Sequence, residues 1–344
     1  MGQFTIKNTL LASSMLLGVS ILTSTALHAA NPAHLEHPHS AGTFMIEYQF
    51  MRMNMDGLRD GTDDVSKGLA AAMPSNGGRA DYNHMMVPTS MTMDMHMIMP
   101  MYNITKELSV MVMGMYMSNK MDMFNRMIPD AKPSMETSGI GDTEVSLSYK
   151  FMDDQLAASF GLSIPTGSIE EKVTMKMMPD ADPVTVRAPY AMQLGSGTYD
   201  ITPSLTYLGA YYDLRFGAQG SYTYHIGEND AKYTRGNSID FQTWIRKAFF
   251  GVVFDADLKV RHANEIDGAD SKIAQTMAMG AMKAAPTAYP ANYGGTTATF
   301  GIGAAVPVSI VTVGLKFGIP IYQDLNGLQM KQKWVAGGTL TAMF

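Results

Sequence analysis

Cysteine is absent from this chain of 344 residues. That excludes a disulfide framework, a thiolate zinc site and a lipid-modified N-terminal cysteine. Charge is scarce: the 25 Lys+Arg and 31 Asp+Glu make up 16% of the residues, well below the ~25% of a soluble globular domain. A net charge of −6 gives no basic footprint for nucleic acid, so none is expected as a partner. Beyond residue 30 no stretch reaches the ~20 consecutive apolar residues of a membrane helix. Catalytic signatures are missing too, with no Gly-x-Ser-x-Gly elbow, His-Glu-x-x-His, phosphate-binding loop or Rossmann glycine pattern. No catalytic residue is assigned, and the chain is expected not to be an enzyme.

What is present begins with an export signal. Lys7 precedes an apolar run from Leu10 to Leu22 and a small-residue stretch to Ala30, the order of a secretory signal peptide. Residues 1–30 are therefore read as the signal, 31–42 as a histidine-containing periplasmic segment and 43–344 as the folded domain. In that domain alternation with period two recurs. Thr143, Val145, Leu147, Tyr149 and Phe151 oppose Asp142, Glu144, Ser146, Ser148 and Lys150, while Val252, Phe254, Leu258 and Val260 oppose Asp255, Asp257, Lys259 and Arg261. A helix would mix these sets, so they are strands with one apolar face.

Twelve such segments are expected, near 43–53, 89–101, 107–118, 139–151, 155–166, 198–208, 211–226, 237–247, 249–262, 295–306, 310–322 and 332–344. The connections between them alternate long and short, as in bacterial outer-membrane barrels with short periplasmic turns. The expected fold is all-β, a transmembrane antiparallel up-and-down β-barrel of about 12 strands in the outer membrane. Closure follows because hydrocarbon offers no hydrogen-bond partner to an open sheet edge. The alternative is a secreted β-sandwich, which has no reason to sort its loops by length.

Methionine is the most unusual feature, with 33 in the chain. Met91, Met93, Met95, Met97, Met99 and Met101 occupy every second position of one segment, and Met111, Met113, Met115 and Met117 repeat the pattern. Thioethers are soft ligands for Cu(I) or Ag(I), but methionine is also an adaptable hydrophobe. A turn pairing Met101 with Leu108 would send Met93 to Met101 toward lipid. Asp94 and His96 would then share the lumen with Met111, Met113 and Met115. On the first strand Met51 and Met53 look inward beside Glu47.

The expected lumen and substrate residues are thus Glu47, Met51, Met53, Asp94, His96, Met111, Met113 and Met115. A soft-metal patch would use Met51, Met53, His96, Met113 and Met115. His34, His37 and His39 form a second metal-binding candidate before the first strand, and the Asp56, Asp60, Asp63 and Asp64 run is read as a polar loop. Gly301 and Gly303 mark close packing or curvature.

The segments FMIEYQFMRMNMDGLRDGTDDVS (44–66), MTMDMHM (91–97) and SGIGDTEVSLSYKF (138–151) resemble a methionine-rich branch of the outer-membrane transporters grouped with the MetA pathway of phenol degradation. The resemblance runs from about residue 42 to the end and implies a barrel that passes small, often aromatic, compounds. It carries no binding residues over. Three functions follow in order: a channel for a small apolar or aromatic solute with no cofactor, a copper-binding or copper-uptake barrel, and a barrel hydrolase drawing on His225 or His262. Expected partners are membrane lipid, lipopolysaccharide, the solute, and the outer-membrane assembly machinery through the terminal Phe344.

Overall fold

The computed structural model describes residues 20–21, 40–73, 81–176, 178, 180–276 and 282–344. The signal reading, apart from Ser20–Ile21, lies outside the described residues, as do His34, His37 and His39. Among the described residues no helix is long and apolar enough to cross a membrane.

The alternating segments form one closed antiparallel ring. Its elements are β1 (Phe44–Gly61), β2 (Met86–Asn103), β3 (Leu108–Asn125), β4 (Thr143–Phe151), β5 (Leu156–Ile164), β6 (Tyr199–Tyr211), β7 (Leu214–Ile226), β8 (Ser238–Phe249), β9 (Val252–Ala263), β10 (Gly294–Val308) and β11 (Val311–Met343). Each pairs with its neighbours in chain order, and β11 closes the ring against β1. β11 doubles back on itself: its first part pairs with β10 up to Leu325, its second with β1 down to Met343, and the Met343 amide donates to the Ile310 carbonyl at 3.1 Å. The wall is therefore crossed twelve times by eleven elements. Phe44 and Phe344 lock the seam, each donating its amide to the other's carbonyl, at 3.2 and 2.8 Å.

Turns of two to four residues join β2–β3, β4–β5, β6–β7, β8–β9 and β10–β11 at one end. Both termini of the ring lie at that end, which is the periplasmic one in outer-membrane barrels. All the long connections gather at the other. The outward face is apolar through the middle of the wall. Phe160, Leu205, Phe241, Phe254, Ile302 and Leu315 are all exposed there. Tyr211, Tyr212, Phe249 and Phe250 crowd the periplasmic rim, and Tyr199, Tyr222 and Tyr224 sit farther out. An apolar band flanked by aromatic girdles is the outer surface lipid requires. The protein is a β-barrel of the bacterial outer membrane.

Three strands run further than their apolar faces indicate. β1 continues to Gly61, β2 begins at Met86 and β3 ends at Asn125, so Asp56 and Asp60 of the expected loop are strand residues. Asp63 and Asp64 belong to a short strand, Asp63–Val65, folded back on β1. Beyond the belt the outward face meets water, and polar side chains replace apolar ones without ending the hydrogen-bonded ladder. Arg52 pairs with Asp94 at 2.6 Å across β1 and β2, and Lys120 with Glu136 across β3 and the strand Ser134–Ile140.

Candidate lumenal site

Register decides what faces the interior. Met101 lies opposite Met111, Met97 opposite Met115 and Met95 opposite Met117. Across β1 and β2, Met45 faces Met101, Met51 faces Met95, Met53 faces Met93 and Met55 faces Met91. Directly opposed residues share a face, so all these methionines lie on one side. That side is the interior, because Ile98, Tyr102, Val112 and Tyr116, at the intervening positions, are exposed. Every odd-numbered methionine from Met91 to Met101 is at most 7% exposed.

The expectation that Met93 to Met101 face lipid is therefore wrong, and so is the lumenal placement of Asp94 and His96. Pairing Met101 with Leu108 would have set odd positions against even ones, and a one-residue slip in register exchanges the faces. The actual turn uses residues 104–107, with the Ile104 amide donating to the Leu108 carbonyl at 2.9 Å and Asn103 opposite Ser109. His96 projects outward, its Nδ1 2.7 Å from the Tyr48 hydroxyl and its ring 5.1 Å from that of Phe50. Asp94 projects outward to Arg52. Of the other expected lumenal residues, Glu47, Met51 and Met53 line the cavity, while Met111, Met113 and Met115 are buried on the inward face of β3 and are not at the cavity. His96 is separated from that group by the thickness of the wall.

The opposite wall is charged. Gln242, Asp255, Asp257, Lys259 and Arg261 of β8 and β9 line the interior with Lys316 of β11, and buried Asp240, directly opposite Arg261, shares their face. Lys316 Nζ lies 2.6 Å from Asp257 and 3.9 Å from Asp255, while Lys259 and Arg261 reach Asp240 at 3.2 and 3.3 Å. Two glycines make room for the carboxylates. A Cβ on Gly301 would lie 2.4 Å from Asp257 Oδ1, and one on Gly303 2.3 Å from Asp255 Oδ1. The alternation had assigned these charges to one face of β9 without showing that they meet Lys316 and Asp240. That assembly depends on pairings between strands far apart in sequence.

Between the two walls lies a cavity of about 570 Å³, running from near the periplasmic turns at Asp213, Ala248 and Pro307 up to Arg261 and Gln332. Toward the outer mouth the space is filled by chain. Asp142 accepts hydrogen bonds from the Gly167 and Ser196 amides at 2.9 and 2.7 Å, holding both arms of the 165–198 connection inside the rim. Thr137 donates to the Met192 carbonyl at 2.7 Å. Tyr190 of that connection packs edge-on against Tyr233 and Tyr293, with centroids 4.8 and 5.6 Å away.

A second pin joins the loops 62–85 and 264–293. Buried His84 contacts the Ala284 carbonyl through Nδ1, while the Met85 amide donates to Lys283 at 2.9 Å and Lys283 donates to Asn83 at 3.0 Å. Burial pushes the His84 imidazole down to about 4, against ~6.5 for a solvated one. Because the folded value is the depressed one and the protonated form is cationic, the neutral pin is at full strength above about pH 6.5. It weakens as pH falls from 6.5 to 4, by up to about 3 kcal/mol. Hydrogen exchange at the Met85 and Lys283 amides, corrected for intrinsic rates, should speed up over that window in the native chain and not in His84→Gln. The same pH response in both would remove His84 as its cause.

The class of protein these features define is an outer-membrane β-barrel with a partly plugged lumen. No family model matches the sequence, nor does any curated protein at a significant level. An outer-membrane channel from Pseudomonas putida F1, known from its crystal structure, aligns with a TM-score of 0.60 over 92% of this chain and 100% of that one, at 13% identity. The Pseudomonas putida toluene transporter TodX aligns at 0.47 over 94% and 95%, at 10% identity. The first likeness establishes a shared fold; the second is too slight to bear on function.

Proposed function

We propose that this barrel is a passive channel for small apolar solutes, aromatic ones included, which cross the outer membrane along its methionine wall. The observation that carries the reading is the unbroken thioether face of β2 from Met101 to Met91, joined on β1 by Met45, Met51, Met53 and Met55 with Glu47 and Gln49 between them. Ten residues of strand at ~3.3 Å each span about the thickness of the hydrocarbon core. A hydrated pore for polar solutes has no use for such a face. Unbranched methionine side chains, by contrast, re-pack around differently shaped apolar guests at little cost. The resemblance to phenol-pathway transporters and the fold shared with a Pseudomonas outer-membrane channel support the same reading.

Electrostatics fit as well. Asp240, Asp255 and Asp257 are each paired with Lys259, Arg261 or Lys316, so these carboxylates of the charged wall do not stand as uncompensated charge beside the path. Changing Met97 and Met99 to glutamine keeps side-chain length and places uncompensated amides on the apolar path. Entry of toluene into proteoliposomes carrying an internal solvatochromic dye should slow by about tenfold, equivalent to ~1.4 kcal/mol on the barrier. Equal entry rates for the native and variant barrels would end the proposal.

A further inference from the structure

Four of the methionines lie in one row across four strands. Met55 of β1 is opposite Met91 of β2, Met91 is opposite Met121 of β3, and Met121 is opposite Met135 of the strand Ser134–Ile140. All four are 0–1% exposed. In such a row neighbouring Cβ atoms are ~4.5–5.5 Å apart, and each methionine has three rotatable bonds between Cα and its methyl-bearing sulfur. Adjacent sulfurs can therefore converge on one ion without moving the backbone.

We propose that this row is a binding site for a soft monovalent cation, Cu(I) or Ag(I). The chemistry of the donors sets the selectivity. Thioether sulfur favours soft ions, whereas Zn²⁺, Ca²⁺ and Mg²⁺ are held by imidazole, thiolate or oxygen donors. All four donors are neutral, and none can offset the second charge of a divalent ion removed from water, which is costly in a buried site. Among the described residues no group of three or more His, Cys, Asp or Glu side chains is placed to compete for the ion.

The lumen provides the approach. Met51 and Met53 line the cavity, and Met53, with Met93 opposite it, is the rung immediately before Met55 and Met91. An ion in the cavity thus passes from partly exposed sulfurs to sealed ones. The site differs from the patch expected from the sequence, because His96 lies on the outer surface while Met55, Met91, Met121 and Met135 replace it. It does not depend on the passage of apolar solutes, which the toluene assay tests separately.

The test is titration of the purified barrel in detergent with silver nitrate in chloride-free buffer, followed by calorimetry. The native protein is expected to bind Ag(I) with micromolar or tighter affinity, and Met91→Leu/Met121→Leu to bind at least tenfold more weakly. Leucine replaces methionine in cores at small cost, and heat-modifiable migration on gels confirms that the variant is folded. If the double variant fails to fold, protein grown with norleucine in place of methionine keeps the side-chain shape and loses the sulfur; it is expected not to bind at all. No binding by the native barrel, or unchanged binding by the leucine or norleucine protein, would overturn the site.

Discussion

Asp142→Ala is expected to unlatch the outer mouth and raise single-channel conductance severalfold, with the barrel itself left folded. Asp142 is buried at the rim and its carboxylate accepts from two backbone amides, Gly167 and Ser196, on opposite arms of one connection. Removing it strands both donors and forfeits two charge-assisted bonds, which together are worth about 3 kcal/mol or more. The ring keeps all of its backbone ladder. The loss therefore falls on the plug, whose remaining ties include Thr137 donating to the Met192 carbonyl at 2.7 Å and Arg235 of the 227–237 connection donating to the Gly195 carbonyl at 2.5 Å. Planar-bilayer recording checks the conductance, and hydrogen exchange in 165–198 checks where the loosening occurs. Native conductance in the variant, with faster exchange, would mean that the lumen is blocked below the loop instead.

Leu205→Arg is expected to destabilise the barrel by about 2–4 kcal/mol, the cost of a guanidinium near the bilayer midplane of an outer-membrane barrel. Leu205 sits midway along β6 between the tyrosines at either end, is 55% exposed, and lies opposite Ala158 and Gly220. Neither neighbour offers a counter-charge, so the arginine can only reach toward a headgroup or thin the bilayer locally. Thr206→Arg, one position along and facing inward, would fail for another reason, since it displaces the Thr206 hydroxyl from its 2.9 Å bond with Gln219. Reversible urea unfolding in phosphatidylcholine vesicles measures the first effect. A loss below about 1 kcal/mol for Leu205→Arg would place that face out of contact with acyl chains.

The ring was legible in the sequence wherever an apolar residue faced lipid and a polar one faced in. β4, β6, β7, β8 and β9 show that contrast, and their inward sets, such as Asp255, Asp257, Lys259 and Arg261, are those the alternation selects. β2 defeats the same rule. Its two faces are methionine on one side and His96, Ile98 and Tyr102 on the other, so hydropathy does not say which is outside. Only the partner strand does, through Met101 opposite Met111 rather than a residue of the other parity. The polar extensions of β1 and β3 were lost for a related reason: in water the outward face ceases to be apolar while the ladder continues. The methionine row across four strands was not legible at all, because it is assembled by three registers and no single segment contains it. The latch at Asp142 likewise joins residues 25 and 54 positions apart in sequence.

The seam of the barrel has a kinetic corollary. The amides of Phe44 and Phe344 exchange hydrogen bonds across it, and their rings lie 6.3 Å apart. The two sides of that junction come from opposite ends of the described chain. Such a contact carries nearly the largest loop-closure penalty the polypeptide can incur, and non-local pairing of this kind folds slowly. Until it forms, β1 and the second half of β11 present bare edges that any other extended segment could capture. The junction is therefore expected to be among the last contacts of the ring to form, with Phe344 late to find its partner.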